Sequence, residues 1–311
     1  MRRRRLPDIP VDVLGPAVAR DGHRRPFLHP VTGTIKRIER TANHFASRSV
    51  YPYVPGMHRI YGPLLESGLH VCEAEIAIPG LAGALDGLTV LLVTDVHAGP
   101  FVRADALART FERLASLDAD VVLWGGDFAC ARVEDLDGLD VAMRRLTGTQ
   151  GTFAVLGNHD HYTGDPEAVG RAVERGGARL LHNRSTRIER DGASLAVAGI
   201  DDWNVGRPDL DAALREVRPG EPVILLSHNP DALFAAAERS LALVLSGHTH
   251  GGQIRIPGLP VLIRMSRYRL DEGRYRTGAT ELVVSRGLGA VGLPVRLACA
   301  PEAVRIVLRS L

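Results

Sequence analysis

The sequence predicts an α/β fold whose sheets are partly antiparallel. Three observations predict it. From Leu88 onward, short apolar runs alternate with stretches of helical period. After Gly251 the runs continue with no helix between them. Five of the runs also end alike, in Asp, His or Asn with glycine close by. Strands alternating with helices read as α/β architecture, and neighbouring strands without a crossover helix read as antiparallel.

Residues 1–70 come first, as a basic and irregular extension or partly helical arm. "VYPYVPGMHRIYGPLL" (50–65) mixes aromatics, prolines and glycines without a clean period. The pattern changes at Cys72, and residues 71–311 read as one large domain. "LTVLLVTD" (88–95) is a β-rich apolar run. "DALARTFERLASL" (105–117) is helical, with Leu107, Phe111 and Leu114 on one side. "ADVVLWGGD" (119–127) is a strand ending in glycines. "GTFAVLGNHD" is a strand followed by a turn. "PEAVGRAVERGG" opens with proline and closes with glycines, as a helix does. "SLAVAGIDD", "PVILLSHN" and "LALVLSGHTH" are strands, with "DALFAAAERS" a helix between the last two. "ELVVSRGLG" and "AVRIVLRS" close the chain as strands.

Composition narrows the classes. A chain of 311 residues, 45% hydrophobic and 24% charged, has material for a substantial core. Its net charge of +2 gives no whole-protein field for nucleic acid, so no nucleic-acid partner is expected. The charge is uneven: Met1 to Ile60 holds twelve basic and four acidic residues, leaving the remainder negative. Such a basic arm, with Phe27, Phe45, Tyr51, Tyr53 and Tyr61, reads either as a peripheral membrane contact or as a cover for apolar surface. Cys72, Cys130 and Cys299 lie far apart without a CxxC, which excludes a disulfide scaffold and a cysteine zinc site. "MRRRRLPDIPVDVLGP" lacks the apolar run of a secretory signal. No stretch of about 18 apolar residues marks a transmembrane helix. The expectation is a cytoplasmic protein, either free or peripheral to the inner membrane.

The polar strand ends carry the chemistry. They read "TDVHAG" (Asp95, His97), "GGDF" (Asp127), "GNHD" (Asn158, His159, Asp160), "SHNPD" (His228) and "SGHTHGG" (His248, His250). In open α/β sheets, ligands bind at the carboxyl ends of strands. Extended backbone puts residues i and i+2 on one side, so Asp95 with His97, and His248 with His250, are expected to aim together. Carboxylate and neutral imidazole bind divalent transition metals, and glycine lets backbone and ions approach closely. Singly, each motif reads as a turn or a core histidine. Five at strand ends, in this order, read as a metal site.

Those residues, in that order, resemble the calcineurin-like metallophosphoesterase family, over roughly Glu73 to the C-terminus. "LSHNPD", "SGHTHGGQIRIPG" and "VSRGLGAVGLPVRLACAPE" look like its bacterial cell-envelope branch, which includes phosphodiesterases and UDP-2,3-diacylglucosamine pyrophosphatases. The resemblance implies a four-layer α/β fold, mixed β-sheets sandwiched between helices, and a catalytic domain over 71–311. It implies two divalent metal ions (Mn, Zn or Fe). Asp95, His97, Asp127 and His250 would hold one, and Asp127, Asn158, His228 and His248 the other. It implies hydrolysis of a phosphodiester, phosphomonoester or pyrophosphate by a hydroxide held between the ions, with His159 as general acid and Asp160 orienting it. The substrate would be a phosphoester, lipid-linked or nucleotide-linked. Asp202 and Trp203, in "AGIDDWNVGRPDLDAAL", read as substrate contacts or as a surface turn anchored by the tryptophan. Arg255 is a candidate for phosphate, His161 a rim residue, and His182 structural. Two rivals remain: a binding module of the same fold without catalysis, and a nuclease, which the negative remainder of the chain disfavours.

Overall fold

Two sheets stack face to face in the computed structural model, which describes residues 1–9, 41–42, 45–259, 261 and 264–311. The first sheet runs β1 (Arg2–Arg5), β2 (His70–Ile78), β13 (Glu302–Ser310), β3 (Thr89–Val93), β4 (Val121–Trp124), β5 (Gly151–Ala154) and β6 (Arg179–Leu180). The second runs β11 (Gly273–Thr277), β12 (Thr280–Val284), β10 (Leu243–Ser246), β9 (Val223–Leu226), β8 (Ala193–Gly199) and β7 (Arg184–Arg190).

The apolar runs explain the stacking. Successive side chains of a strand point to opposite faces. Along β3, Val90 and Leu92 enter the layer between the sheets, and Leu91 and Val93 enter the outer layer. In β4, Val121 and Leu123 face in, and Val122 and Trp124 face out. In β10, Leu243 and Leu245 face in and Val244 faces out. Strands apolar on both faces must be covered on both faces. Helices α1 (His58–Gly68), α2 (Ala104–Ala115), α3 (Leu139–Met143) and, beyond the short α4 (Asn158–Tyr162), α5 (Pro166–Arg175) cover the first sheet. Helices α6 (Leu210–Leu214) and α7 (Leu233–Glu238) cover the second. Helix, sheet, sheet, helix are the four layers that the resemblance implies. In α2 the expected stripe of Leu107, Phe111 and Leu114 is fully buried.

Strand direction positions the site. β3, β4 and β5 pair in parallel, as do β8, β9, β10 and β12. Antiparallel pairs are β7 with β8, β11 with β12, and β13 with β3. The carboxyl ends of β3, β4 and β5 therefore open at one end of the first sheet, where the ends of β9 and β10 meet them.

Within residues 1–70, Arg2–Arg5 departs from the irregular reading and His58–Gly68 fits the partly helical one. Arg2–Arg5 is an edge strand, parallel to β2, with all four side chains exposed. Its main chain is satisfied by β2, from Arg2 N to Leu69 O at 3.2 Å through to Leu6 N to Glu73 O at 2.9 Å, and Leu6 is buried. A charged edge strand discourages further pairing. His58–Gly68 forms α1 and sinks Tyr61 and Leu65 into the core beneath it. Phe27 lies outside the described residues. The three cysteines are buried free thiols. Among the described residues, no helix is long and apolar enough to cross a membrane.

Candidate metal centre

Five strand ends deliver seven buried polar residues to one place. Asp95 and His97 follow β3, Asp127 follows β4, Asn158 follows β5, His228 follows β9, and His248 and His250 follow β10. The expected extended pairing is corrected here. Asp95, His97, His248 and His250 all lie past the ends of their strands in the left-handed region, at φ 52°, 45°, 73° and 52°, and Asp127 joins them at 56°. For residues other than glycine this costs about 1–3 kcal/mol each and survives only where neighbours enforce it. Here they do. Asp95 N donates to Gly126 O at 2.9 Å, His97 N to Asp127 O at 2.9 Å, and His248 N to the Asp95 carboxylate at 3.0 and 3.1 Å. The last of these ties the end of β10 to the end of β3.

The glycines act by absence. A Cβ on Gly247 would collide with the Asp95 carboxylate and the Thr94 hydroxyl. One on Gly157 would collide with Asp127 Oδ1. Only bare backbone lets these loops close on the carboxylates.

Asp127 sits at the middle. Its Oδ2 is 3.5 Å from His97 Nε2 on one side and 3.2 Å from His228 Nε2 on the other. Around His97, His250 Nε2 stands 3.0 Å away and is itself 3.4 Å from Asp95 Oδ1. Ligand atoms of Asp95, His97, Asp127 and His250 all lie within 4.8 Å of one another. Around His228, His248 Nδ1 stands 3.2 Å from Nε2. His228 Nδ1–H donates to Gly125 O at 2.7 Å, which leaves Nε2 turned to Asp127.

Electrostatics fit a cation-collecting site. Burial pushes the Asp95 carboxyl up to about 6. Burial opposes charge on His228 too, but the adjacent Asp127 carboxylate holds it up at about 10. Burial pushes His97, His250 and His248 down, the last to about 3. Three imidazoles thus stay neutral with lone pairs available, and an ion would take the place of the proton that Asp127 holds on His228. Asn158 Oδ1 and His97 Nδ1 are buried without a hydrogen-bond partner. A buried orphan acceptor beside carboxylates and neutral imidazoles is a donor set that divalent transition metals satisfy.

His159 borders this cluster, its ring edge-on to His97 at 4.7 Å between centroids. Its main-chain N–H donates to Asp127 Oδ1 at 2.7 Å, and its Nδ1–H to Cys130 O at 2.6 Å. The orienting role expected of Asp160 is corrected. Its carboxylate accepts four main-chain N–H groups, from Asp127 (2.9 Å), Phe128 (2.8 Å), Ala129 (3.1 Å) and Gly157 (2.9 Å). Those bonds saturate it and fix the loop that carries Asp127, so the Cys130 carbonyl holds the His159 ring instead. "GNHD", read as a turn, is the start of α4.

The remaining candidates separate. Asp202 is buried, continuing the strand that pairs beside β9. Its Oδ1 accepts from Asn204 N and Val205 N at 2.9 Å, while Oδ2 has no partner. Trp203 packs on the outer core of the second sheet and lines a groove of about 550 Å³ with Arg207, Asp209, Ala235 and Arg239, to which no cluster residue contributes. Arg255, the candidate for phosphate, is paired with Glu272. His161 Nε2 meets Asp201 Oδ1 at 2.8 Å, and His182 stands 3.9 Å from the same oxygen.

The sequence reading missed Arg296 and the structural use of Tyr61. Arg296 is buried, and its Nε donates to Gly289 O at 2.9 Å and its Nη2 to Arg286 O at 2.7 Å, beside His250 Nδ1 at 3.2 Å. Tyr61 Oη donates to Leu288 O at 2.6 Å. Together they brace the 286–290 loop, whose Gly289 N donates to Asp95 O at 2.6 Å. One arginine in a chain where arginine supplies nearly every base carries no signal.

Comparison with known proteins agrees with this geometry. A sequence model described as calcineurin-like phosphoesterase matches residues 88–252. A "Transmembrane protein with metallophosphoesterase domain" from Danio rerio is 32% identical over 253 residues, covering 77% of this chain and 57% of that protein. An "Uncharacterized metallophosphoesterase YkuE" from Bacillus subtilis is 28% identical, covering 79% of this chain and 86% of that protein. An "Uncharacterized metallophosphoesterase" from Helicobacter pylori is 32% identical, covering 69% and 58%. The chain thus spans little more than half the length of the Danio and Helicobacter relatives.

Proposed function

The chain belongs to the calcineurin-like phosphoesterase family, and from that premise we propose that it hydrolyses a phosphoester with two divalent ions (Mn, Zn or Fe). Asp95, His97, Asp127 and His250 would hold one ion; Asp127, Asn158, His228 and His248 would hold the other. The observation that carries this reading is the place of Asp127 Oδ2, between His97 Nε2 at 3.5 Å and His228 Nε2 at 3.2 Å. A carboxylate so placed can serve both sets. Bound there, the ions would supply Lewis-acid polarisation of the phosphate and acidify water.

The chain's own residues do the rest. His159 is the general acid. With Nδ1–H committed to Cys130 O, Nε2 is the nitrogen left to deliver a proton to the departing oxygen. Asp160 positions Asp127 and His159 through the main chain rather than by touching the His159 ring. The fully buried walls around Asp95 and His97 keep bulk water from their inner sides.

The substrate class is a phosphodiester, phosphomonoester or pyrophosphate, lipid-linked or nucleotide-linked. The test is side-by-side hydrolysis of bis-p-nitrophenyl phosphate, p-nitrophenyl phosphate, single-stranded DNA and a UDP-lipid pyrophosphate, after chelation and after return of Mn²⁺, Zn²⁺ or Fe²⁺. Turnover that vanishes on chelation and returns with an ion supports the proposal. Ion-loaded protein inert toward all four would point to a binding module, and preference for DNA to a nuclease.

A further inference from the structure

Two loops beside the metal centre leave six large apolar side chains in the open. Ile256, Leu259 and Met265 lie on one, and Leu293, Val295 and Leu297 on the other, with Leu297 57%, Leu259 54% and Leu293 52% exposed. The loops are one surface. Arg255 N donates to Leu297 O at 2.9 Å, and Leu297 N to Gln253 O at 3.1 Å. The Gln253 amide group donates to Val291 O at 2.9 Å and Leu293 O at 3.1 Å, and its Oε1 accepts from Val291 N at 2.8 Å. Both loops spring from the wall of the cluster. Gln253 is three residues past His250, and the second loop follows Gly289, whose N–H is bonded to Asp95 O. Exposed apolar residues scattered singly need no explanation, whereas a set on adjoining loops at the rim of a site does.

Charge around this surface selects an occupant. Arg255, Arg264, Arg274, Arg276 and Arg286 are each paired with a carboxylate. Arg267 and Arg269, just past Met265, are exposed; their charges act on the buried Asp231 and Asp271 carboxyls without forming a side-chain ion pair among the described residues. Apolar side chains beside exposed arginines suit the boundary between acyl chains and anionic headgroups. A second copy suits it less, because an isologous contact would set the two arginine pairs against their own images.

We infer that the surface made by Ile256, Leu259, Met265, Leu293, Val295 and Leu297 docks on a bilayer containing anionic phospholipid. Leu259 and Leu293 enter the acyl boundary, Arg267 and Arg269 meet headgroup phosphates, and the metal centre opens beside the membrane surface. The corollary, that the substrate is a lipid-linked phosphoester, rests on the function proposed above. The docking itself does not.

Flotation of the full chain at low salt tests it, with vesicles of phosphatidylcholine alone or mixed with phosphatidylglycerol. Leu259→Asp/Leu293→Asp and Arg267→Glu/Arg269→Glu change exposed positions, and circular dichroism with melting curves verifies their fold. The wild type floats with the phosphatidylglycerol vesicles, and each double variant partitions about tenfold or more weakly. A wild type that stays at the bottom of both gradients overturns the inference. So does undiminished flotation of the Leu259→Asp/Leu293→Asp variant, which would assign binding to Arg2–Arg5 or residues 10–40. A dimer in light scattering that this variant splits, without flotation, would overturn it in favour of a second copy. Metal content of the same samples separates the two readings: protein that floats but takes up no divalent ion leaves docking standing and removes the phosphoesterase proposal.

Discussion

Gly247 and His159 do opposite things with side-chain bulk, and each can be tested alone. Gly247 supplies none, so that the loop after β10 can lie on the Asp95 carboxylate. Gly247→Ala is therefore expected to push His248 and Asp95 apart and to weaken ion binding at least tenfold. Overpacking of this kind costs typically about 1–3 kcal/mol of stability. Isothermal titration with Mn²⁺ and a melting curve check both. His159 supplies an imidazole that no ion needs. His159→Ala should retain its ions and lose about 10²–10⁴-fold in rate. The loss should shrink for p-nitrophenolate, a leaving group that needs no proton. An equal loss across leaving groups of widely different basicity would remove the general-acid role. Residue identities of this kind were legible, because Asp, His and Asn after apolar runs announce themselves. The backbone under them was not: left-handed angles at Asp95, His97, Asp127, His248 and His250 come from contacts between loops far apart in sequence, and an extended reading is the local default.

Helix α4 and the loop after β8 are joined by His161 and Asp201, and pH reads that joint. The hydrogen bond to Asp201 raises His161 above its ordinary value of 6.5, although burial opposes it. Burial raises the Asp201 carboxyl, but His161 and main-chain donors outweigh it and hold the group down at about 2. The imidazole contribution is complete below pH 6.5 and fades as pH rises through the raised value; the carboxylate contribution is complete above its ordinary value of 3.8 and fades toward pH 2. The melting temperature of the wild type should thus exceed that of His161→Asn most between about pH 4 and 6.5, with the gap closing toward pH 9. A gap unchanged across that range would contradict the pair. Helix α1 offers a second check. Leu65 is fully buried in the outer core, and Leu65→Ala should cost about 2–5 kcal/mol, seen as a lowered urea midpoint; a change under about 0.5 kcal/mol would mean that the arm is dispensable. Elements were legible in proportion to what they bury. β3, β4, β9 and β10 bury nearly every residue. β1 buries none, β7 only Ile188, and β11 only Gly273 and Tyr275, so none of these three leaves a period to read.

At the scale of the molecule, stacking two sheets brings five strand ends together where no single sheet could. Asp95, His97, Asp127 and Asn158 come from the first sheet, and His228, His248 and His250 from the second. The order of the motifs made this meeting legible. What closes it off did not show, since Arg296, the Cys130 carbonyl and the fourfold use of Asp160 depend on tertiary contact. The central claim is that Asp127 is shared by two ions, and metal counting tests it most directly. The wild-type chain and Asp127→Asn are dialysed against Mn²⁺ or Zn²⁺ and measured by inductively coupled plasma mass spectrometry. The account predicts about two ions per chain in the wild type and loss of both in the variant, because the neutral amide cannot compensate the charge of either site. Near wild-type metal in Asp127→Asn, or a wild type that holds none, would contradict it.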